Sequence, residues 1–241
     1  MDRSLPKAIL FDLDDTIIAF GAVSTDTWLH VCEIHAGDLP GWTAEQLVEG
    51  INSYREWFWS DPERHKLGRM NTINIRYEMV RGAFSQLGIY APRVANLISE
   101  AYIEEHERRV HVFPGAIETL KAFNDEGVSL ALLTNGTKAS QRGKINRFNL
   151  EPYFDCILVE EEFGVGKPDE RVYLHALEQL GAQPSEAWVV GDNLEWEVAA
   201  PQRLGITAIW HDHSDKGLPD GSDIRPDRII SSLPELLPQG T

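Results

Sequence analysis

The chain has 241 residues, 42% of them hydrophobic and 25% charged, and a formal net charge of −16 with histidine neutral. That balance belongs to an ordinary globular protein, and the length accommodates one large α/β domain or a core with a smaller domain inserted. The negative excess excludes a general binder of nucleic acid or anionic membrane, which needs a cationic face, but not a small anionic substrate drawn to a local cation.

No apolar run approaches the ~20 residues of a membrane helix, and the opening MDRSLP lacks the pattern of a secretory leader. Cys32 and Cys156 form neither a zinc pattern nor a disulfide scaffold. The expected setting is the cytoplasm. Oligomeric state is not readable from the sequence.

In chain order, KAILFDL reads as a first strand that runs into three acids, Asp12, Asp14 and Asp15. Residues 24–36, 43–59, 70–88 and 93–109 read as helices, because apolar residues recur every three or four positions, as at Tyr77, Val80 and Phe84. DLPGW and GIYAP punctuate them. From about residue 112 the rhythm changes to strand and helix in alternation. VSLALLTNG, CILVEE, AWVVGDN, ITAIWHD and the start of RIISSLPELL read as strands. FPGAIETLKAFNDEG, KASQRGKINRFNL, DERVYLHALEQLG and the stretch through EVAAPQRLG read as helices. Such alternation predicts a parallel sheet covered on both faces. The expected fold class is α/β, a doubly wound parallel sheet formed by 1–20 and 110–241, with an all-helical domain, 21–109, inserted after the first strand.

Polar clusters follow the first, second and fourth strands, in DLDDT, TNG and GDN. Parallel sheets bind ligands at the carboxyl ends of their strands, so the three clusters are expected to converge there. Along an extended segment Asp12 and Asp14 point to the same side, with Cα atoms about 7 Å apart, which leaves room for a cation or a phosphoryl group. Of two carboxylates so placed, one can attack phosphorus while the other protonates the leaving oxygen and then activates water. A calcium loop counted from Asp12 needs Gly at its sixth position and Glu at its twelfth; Ile17 and Val23 stand there.

In LLTNG, Thr134 and nearby backbone N–H groups suit a phosphate oxygen at a helix start. In GVGKPDE, Lys167 is placed to neutralise a carboxylate and a transferring phosphoryl group together. In VVGDNLEWEV, Asp192 brings a further acid to a strand end, and magnesium is satisfied by one or two carboxylates with water. HDH at 211–213 reads as a solvated loop, Cys156 as core packing, and Trp28, Trp57 and Trp59 as packing of the helical block.

DLDDT, LLTNG, GKPD and GDNLEWEV, in this order, resemble the four motifs of the haloacid dehalogenase superfamily, and the likeness spans nearly the whole chain. The helical insertion resembles that family's cap domain. The resemblance implies that Asp12 is the nucleophile and Asp14 the general acid/base with its carbonyl on magnesium. It further implies that Thr134 and the Asn135 backbone bind phosphate, that Lys167 neutralises charge, and that Asp192 holds magnesium together with Asp12. Dehalogenase members lack the second Asp, and sugar-phosphate mutases read DLDGV, with a small residue where this chain has Asp15. The motifs look most like the N-acylneuraminate phosphatase and pyrimidine nucleotidase branch.

The implied function is magnesium-dependent hydrolysis of a small phosphorylated metabolite through an aspartyl-phosphate. The alternatives are a dehalogenase, a phosphotransferase or a non-catalytic binding protein on the same fold. One departure stands out: where the family often has a second Asp in its last motif, this chain has Glu197. In the insertion, SDPERHKLGRMN offers Arg64, His65 and Arg69 as candidates for a second polar group on the substrate.

Overall fold

Strand β1 (Ala8–Phe11) is apolar on both sides of its pleat, and all four residues are fully buried. A strand of that kind needs cover above and below, which parallel sheets receive from crossover helices. The computed structural model describes residues 5–238, the side chains of Thr72 and Ile73 excepted. After β1 come β2 (Ile18–Ala19), α1 (Ser24–His35), α2 (Ala44–Trp59), α3 (Pro62–Arg69), α4 (Thr72–Gln86), α5 (Pro92–Arg109) and β3 (His111–Val112). There follow α6 (Ala116–Asp125), β4 (Ser129–Thr134), α7 (Lys138–Arg147), β5 (Cys156–Val159), α8 (Glu160–Phe163), α9 (Glu170–Gln179) and β6 (Ala187–Gly191). A π-helical turn (Leu194–Ala199), α10 (Ala200–Arg203), β7 (Thr207–His211) and β8 (Arg228–Ile230) complete the order. The chain divides into two compact units, Phe20–Val110 and the segments flanking it in sequence. Among the described residues no helix is long and apolar enough to cross a membrane.

The flanking segments build the α/β fold expected from the alternation. Six strands pair in the order β5-β4-β1-β6-β7-β8, and every pair is parallel. On one face Ala8, Leu10, Ala131, Leu133 and Val189 pack against Val172, Tyr173, Ala176 and Leu177 of α9. The alternate residues Ile9, Phe11, Leu130, Leu132 and Val190 are fully buried as well. Phe11 is paired with Leu132 on one side and Val190 on the other, so β1, β4 and β6 finish within two residues of one another at the same edge. The strand order reverses at β1, which opens a crevice at its carboxyl end.

Two details differ from the sequence reading. β2 and β3 form a two-residue antiparallel pair, Ile18 with Val112 and Ala19 with His111, that brackets the insertion. Strands this short carry no alternation to read. The helix expected through EVAAPQRLG is a π-helical turn followed by the short α10, with Pro201 in the first turn of α10, where a missing N–H costs nothing.

HDH also differs from a solvated loop. His211 is buried, and its Nδ1 donates to the Asp15 carbonyl at 2.9 Å. Asp212 accepts from Gly217 N at 2.7 Å and from Lys216 N at 3.2 Å, which closes the turn behind it. Cys156 is half-buried against the sheet core.

The helical unit has its own core, with Trp28, Cys32, Leu47, Ile51, Val80, Phe84 and Ile98 among its buried residues. Trp28 stacks on Tyr102 at 3.5 Å between ring centroids, and the Tyr102 hydroxyl lies 2.8 Å from Ser24 Oγ. Trp59 packs partly against this core, whereas Trp57 is 49% exposed and meets Tyr54 and Phe58 at its edge. SDPERHKLGRMN contains a helix, α3, started by Asp61, whose side chain accepts from Arg64 N at 2.8 Å. The segment is too polar to show helical periodicity. Arg64 turns back on α2, donating to Trp57 O at 2.6 Å, with its guanidinium 4.1 Å from the Trp57 ring centroid. Arg69 Nη1 and His65 Nδ1 lie 3.3 Å apart. Arg64 is therefore occupied within its own unit.

Helices α2 and α4 meet where Gly82 faces the ring of Tyr54: a Cβ at Gly82 would stand 2.1 Å from Tyr54 Cζ. Gly82→Ala is expected to destabilise the protein by about 1–3 kcal/mol through overpacking, read as a lower denaturant midpoint. An unchanged midpoint contradicts the contact.

Candidate active site

The register of the sheet places the polar clusters side by side. Asp12 follows β1 and donates its backbone N–H to Val190 O at 3.0 Å. Thr134 ends β4, and Asp192 follows β6. Asp14, Asn135 and Lys167 stand on the loops that leave this same edge. Asp15 adopts φ 59°, a left-handed conformation that Asp tolerates better than most residues. Its N–H donates to Ile18 O at 2.7 Å, so DLDDT closes as a tight turn.

Lys167 is the buried centre of the arrangement. Its Nζ lies 2.5 Å from Asp12 Oδ1 and 2.7 Å from Glu197 Oε1, with the Lys167 and Glu197 side chains only 2% and 1% exposed. Burial acts to lower the lysine's proton affinity, but Asp12 and Glu197 together outweigh it and raise the pKa. The ammonium is held charged. Its backbone is fixed by the Asn135 side chain, which accepts from Lys167 N at 2.8 Å and donates to Lys167 O at 2.7 Å. Beside the phosphate role expected of its backbone, Asn135 thus has a side chain that holds the lysine loop. Gly136 N, one of the N–H groups expected for phosphate, donates to Glu160 Oε2 at 2.9 Å.

Glu197 reaches Lys167 because of the backbone around it. It lies in the π-helical turn, a rare conformation that occurs frequently at functional sites. Asn193 starts that turn, its Oδ1 accepting from Glu195 N and Trp196 N. Asn193 N donates to Glu197 Oε2 at 2.9 Å, and the Tyr173 hydroxyl donates to Trp196 O. The Glu197 side chain lies over Gly191, where an added Cβ would come within 2.0 Å of Glu197 Cγ, so glycine at the end of β6 leaves the room this acid occupies.

Asp14 is held by α7, through residues the sequence reading did not single out. Lys144 Nζ donates to both Asp14 oxygens, at 2.8 and 2.7 Å, and to Gln141 Oε1 at 2.8 Å. Gln141 Nε2 donates to Asp14 Oδ2 at 3.0 Å and to Thr134 Oγ1. Thr16 Oγ1 donates to Asp12 Oδ2 at 3.3 Å. The available signal was a polar Gln141 one turn before Ile145, since both are buried on one face of α7.

Three carboxylates, Asp12, Asp192 and Glu197, share the single Lys167 ammonium, a formal excess of two negative charges. Burial, then their mutual repulsion, raises the pKa of Asp192 well above the carboxylate range. Burial also raises Asp12, against the pull of Lys167. Glu197 is pushed up to about 7 by burial. Among the described residues no group of three or more His, Cys, Asp or Glu side chains has metal-holding geometry. Two carboxylates with main-chain oxygen and water are nonetheless a donor set that magnesium accepts, and a divalent charge matches the excess. The residues present fit such an ion.

A family model described as haloacid dehalogenase-like hydrolase matches residues 6–205. The phosphoserine phosphatase of Thermus thermophilus is 36% identical, over 95% of this chain and 97% of that protein. The pyrimidine 5'-nucleotidase YjjG of Escherichia coli is 26% identical, over 95% of each chain. Among solved structures, the HAD-hydrolase YfnB of Bacillus subtilis bound to magnesium superposes with a TM-score of 0.71 at 22% identity, covering 97% of each chain, a likeness of fold.

The raised Glu197 value carries a stability consequence. Its proton is bound more tightly in the folded chain, at about 7, than at the ordinary 4.5, so its contribution is complete below pH 4.5 and is lost as pH rises to 7. With a chelator present, the melting temperature is expected to fall across that window. Glu197→Gln should flatten the fall, and so should added magnesium. A melting temperature that climbs from pH 5 to 7 in chelator contradicts this.

Proposed function

The chain belongs to the haloacid dehalogenase-like hydrolase family, and from that membership we propose that it is a phosphatase that hydrolyses small phosphomonoesters with magnesium, through a phosphoryl group carried on Asp12. The observation that supports this most is the contrast between two carboxylates of one tight turn. Asp12 is buried and paired with Lys167, whereas Asp14 is more open and bound to Lys144 and Gln141. Carboxylates in unlike surroundings take unlike roles.

Asp12 attacks phosphorus, and Asp14 delivers a proton to the leaving oxygen as the ester bond breaks. Asp14 then takes a proton from water, whose oxygen displaces the phosphoryl group from Asp12. Lys167 has a third N–H for a phosphoryl oxygen. The Thr134 oxygen accepts from Gln141, which frees the hydroxyl proton for another. Asp12, Asp192 and the Asp14 carbonyl would hold magnesium, which would offset charge on the transferring group.

A dehalogenase has no use for Asp14, since a halide leaves without a proton. A mutase-type phosphotransferase carries a small residue where Asp15 stands. The relatives named for phosphoserine and for pyrimidine nucleotides share only the phosphomonoester bond, which is the class proposed here. Both cysteines are free thiols, in keeping with a reducing cytoplasm.

Asp12→Asn is expected to abolish phosphate release from an aryl phosphate in magnesium, and chelator to do the same to the unaltered chain. Undiminished activity in either case overturns the proposal.

A further inference from the structure

Lys144 and Gln141 lie one turn apart on α7, so both side chains project from the same face of the helix. That face meets the end of β1 at Asp14 and the end of β4 at Thr134. All three ammonium protons of Lys144 have acceptors: Asp14 Oδ1 at 2.8 Å, Asp14 Oδ2 at 2.7 Å and Gln141 Oε1 at 2.8 Å. The Gln141 amide is buried, and its orientation is forced. Its oxygen must face the ammonium, and its nitrogen must face the carboxylate. Nε2 spends its two protons on Asp14 Oδ2 at 3.0 Å and on Thr134 Oγ1.

A carboxylate has about four acceptor positions, two on each oxygen. Lys144 and Gln141 occupy both on Oδ2 and one on Oδ1. The position left open is on Oδ1.

We propose that Lys144 and Gln141 are positioning residues that clamp Asp14 and leave Oδ1 as the oxygen that exchanges protons. The inference rests on the phosphatase reading and adds to it which atom works and what aims it. In the first half-reaction the Oδ1 proton passes to the leaving oxygen as its bond to phosphorus breaks. In the second, a water proton passes to Oδ1, the water oxygen bonds to phosphorus, and the bond from phosphorus to Asp12 breaks. Neither Lys144 nor Gln141 touches substrate. The clamp also joins proton transfer to phosphate binding, because Gln141 fixes the Thr134 hydroxyl by the same amide.

The test is a double-mutant cycle of Lys144→Met and Asp14→Asn in magnesium, on an alkyl and an aryl phosphomonoester. Lys144→Met should lower kcat on the alkyl ester about 100-fold, the scale of a misaimed catalytic group, with KM within about twofold. On the aryl ester, whose leaving group departs without a proton, it should give a burst of one equivalent of phenolate followed by slow turnover. Lys144→Arg should recover part of the loss. In the Asp14→Asn background the two losses should not add. Lys144→Gln, which keeps one donor, replaces Met if that variant does not fold, and beryllium fluoride binding with magnesium verifies an intact site. An active unaltered chain in which the losses add, with no burst, overturns the clamp alone. An unaltered chain that releases phosphate from neither ester overturns the clamp together with the phosphatase reading.

Discussion

The candidate site depends on one buried ammonium. Lys167 sits where water does not reach, and a charge there is tolerable only if it is paired and hydrogen-bonded. Asp12 and Glu197 provide the pairing, and the surrounding backbone serves to bring them to it. Asn135 grips the lysine's own peptide groups, and the π-helical turn delivers Glu197. Gly191 gives up a side chain so that the acid fits over it. Removing one partner of such a pair costs about 3–5 kcal/mol, because the other is left as an unpaired buried charge. Stability and chemistry therefore draw on the same groups.

Lys167 alone leaves the site too negative. Two carboxylates beyond its pairing capacity raise each other's proton affinity, and the site relieves the strain with protons or with a cation. The same imbalance separates the surroundings of Asp12 and Asp14. Asp12 shares the buried lysine and the excess charge, while Asp14 has a cation of its own in Lys144. Two neighbouring residues of one turn thus meet two different electrostatic environments, supplied by elements more than 120 residues away in sequence.

Much of the fold was legible. KAILF, SLALLT and AWVVG are apolar on both faces, which only a doubly covered strand requires, and the helices between them implied the parallel order. What escaped were elements without periodicity: the two-residue β2 and β3, the polar helix α3, and the π-helical turn. In the site, residues at strand ends were visible because acids and threonine interrupt apolar runs. Gln141 and Lys144 were not, since a polar face on a helix looks solvated until the sheet edge it meets is known. Asn135 was noticed, but its side chain's hold on the Lys167 loop is a contact across 32 residues that no local pattern encodes. Glu197 was noticed as a departure, and Gly191, over which its side chain lies, was not.

Asp12 is the residue proposed to carry the phosphoryl group. Rapid acid quench of the protein turning over a phosphomonoester in magnesium, followed by peptide mass mapping, tests this directly. A mass increase of one phosphoryl group is expected on the peptide containing Phe11–Thr16, located at Asp12 and absent without magnesium. Turnover with no phosphorylated peptide, or with the group on any other residue, contradicts it.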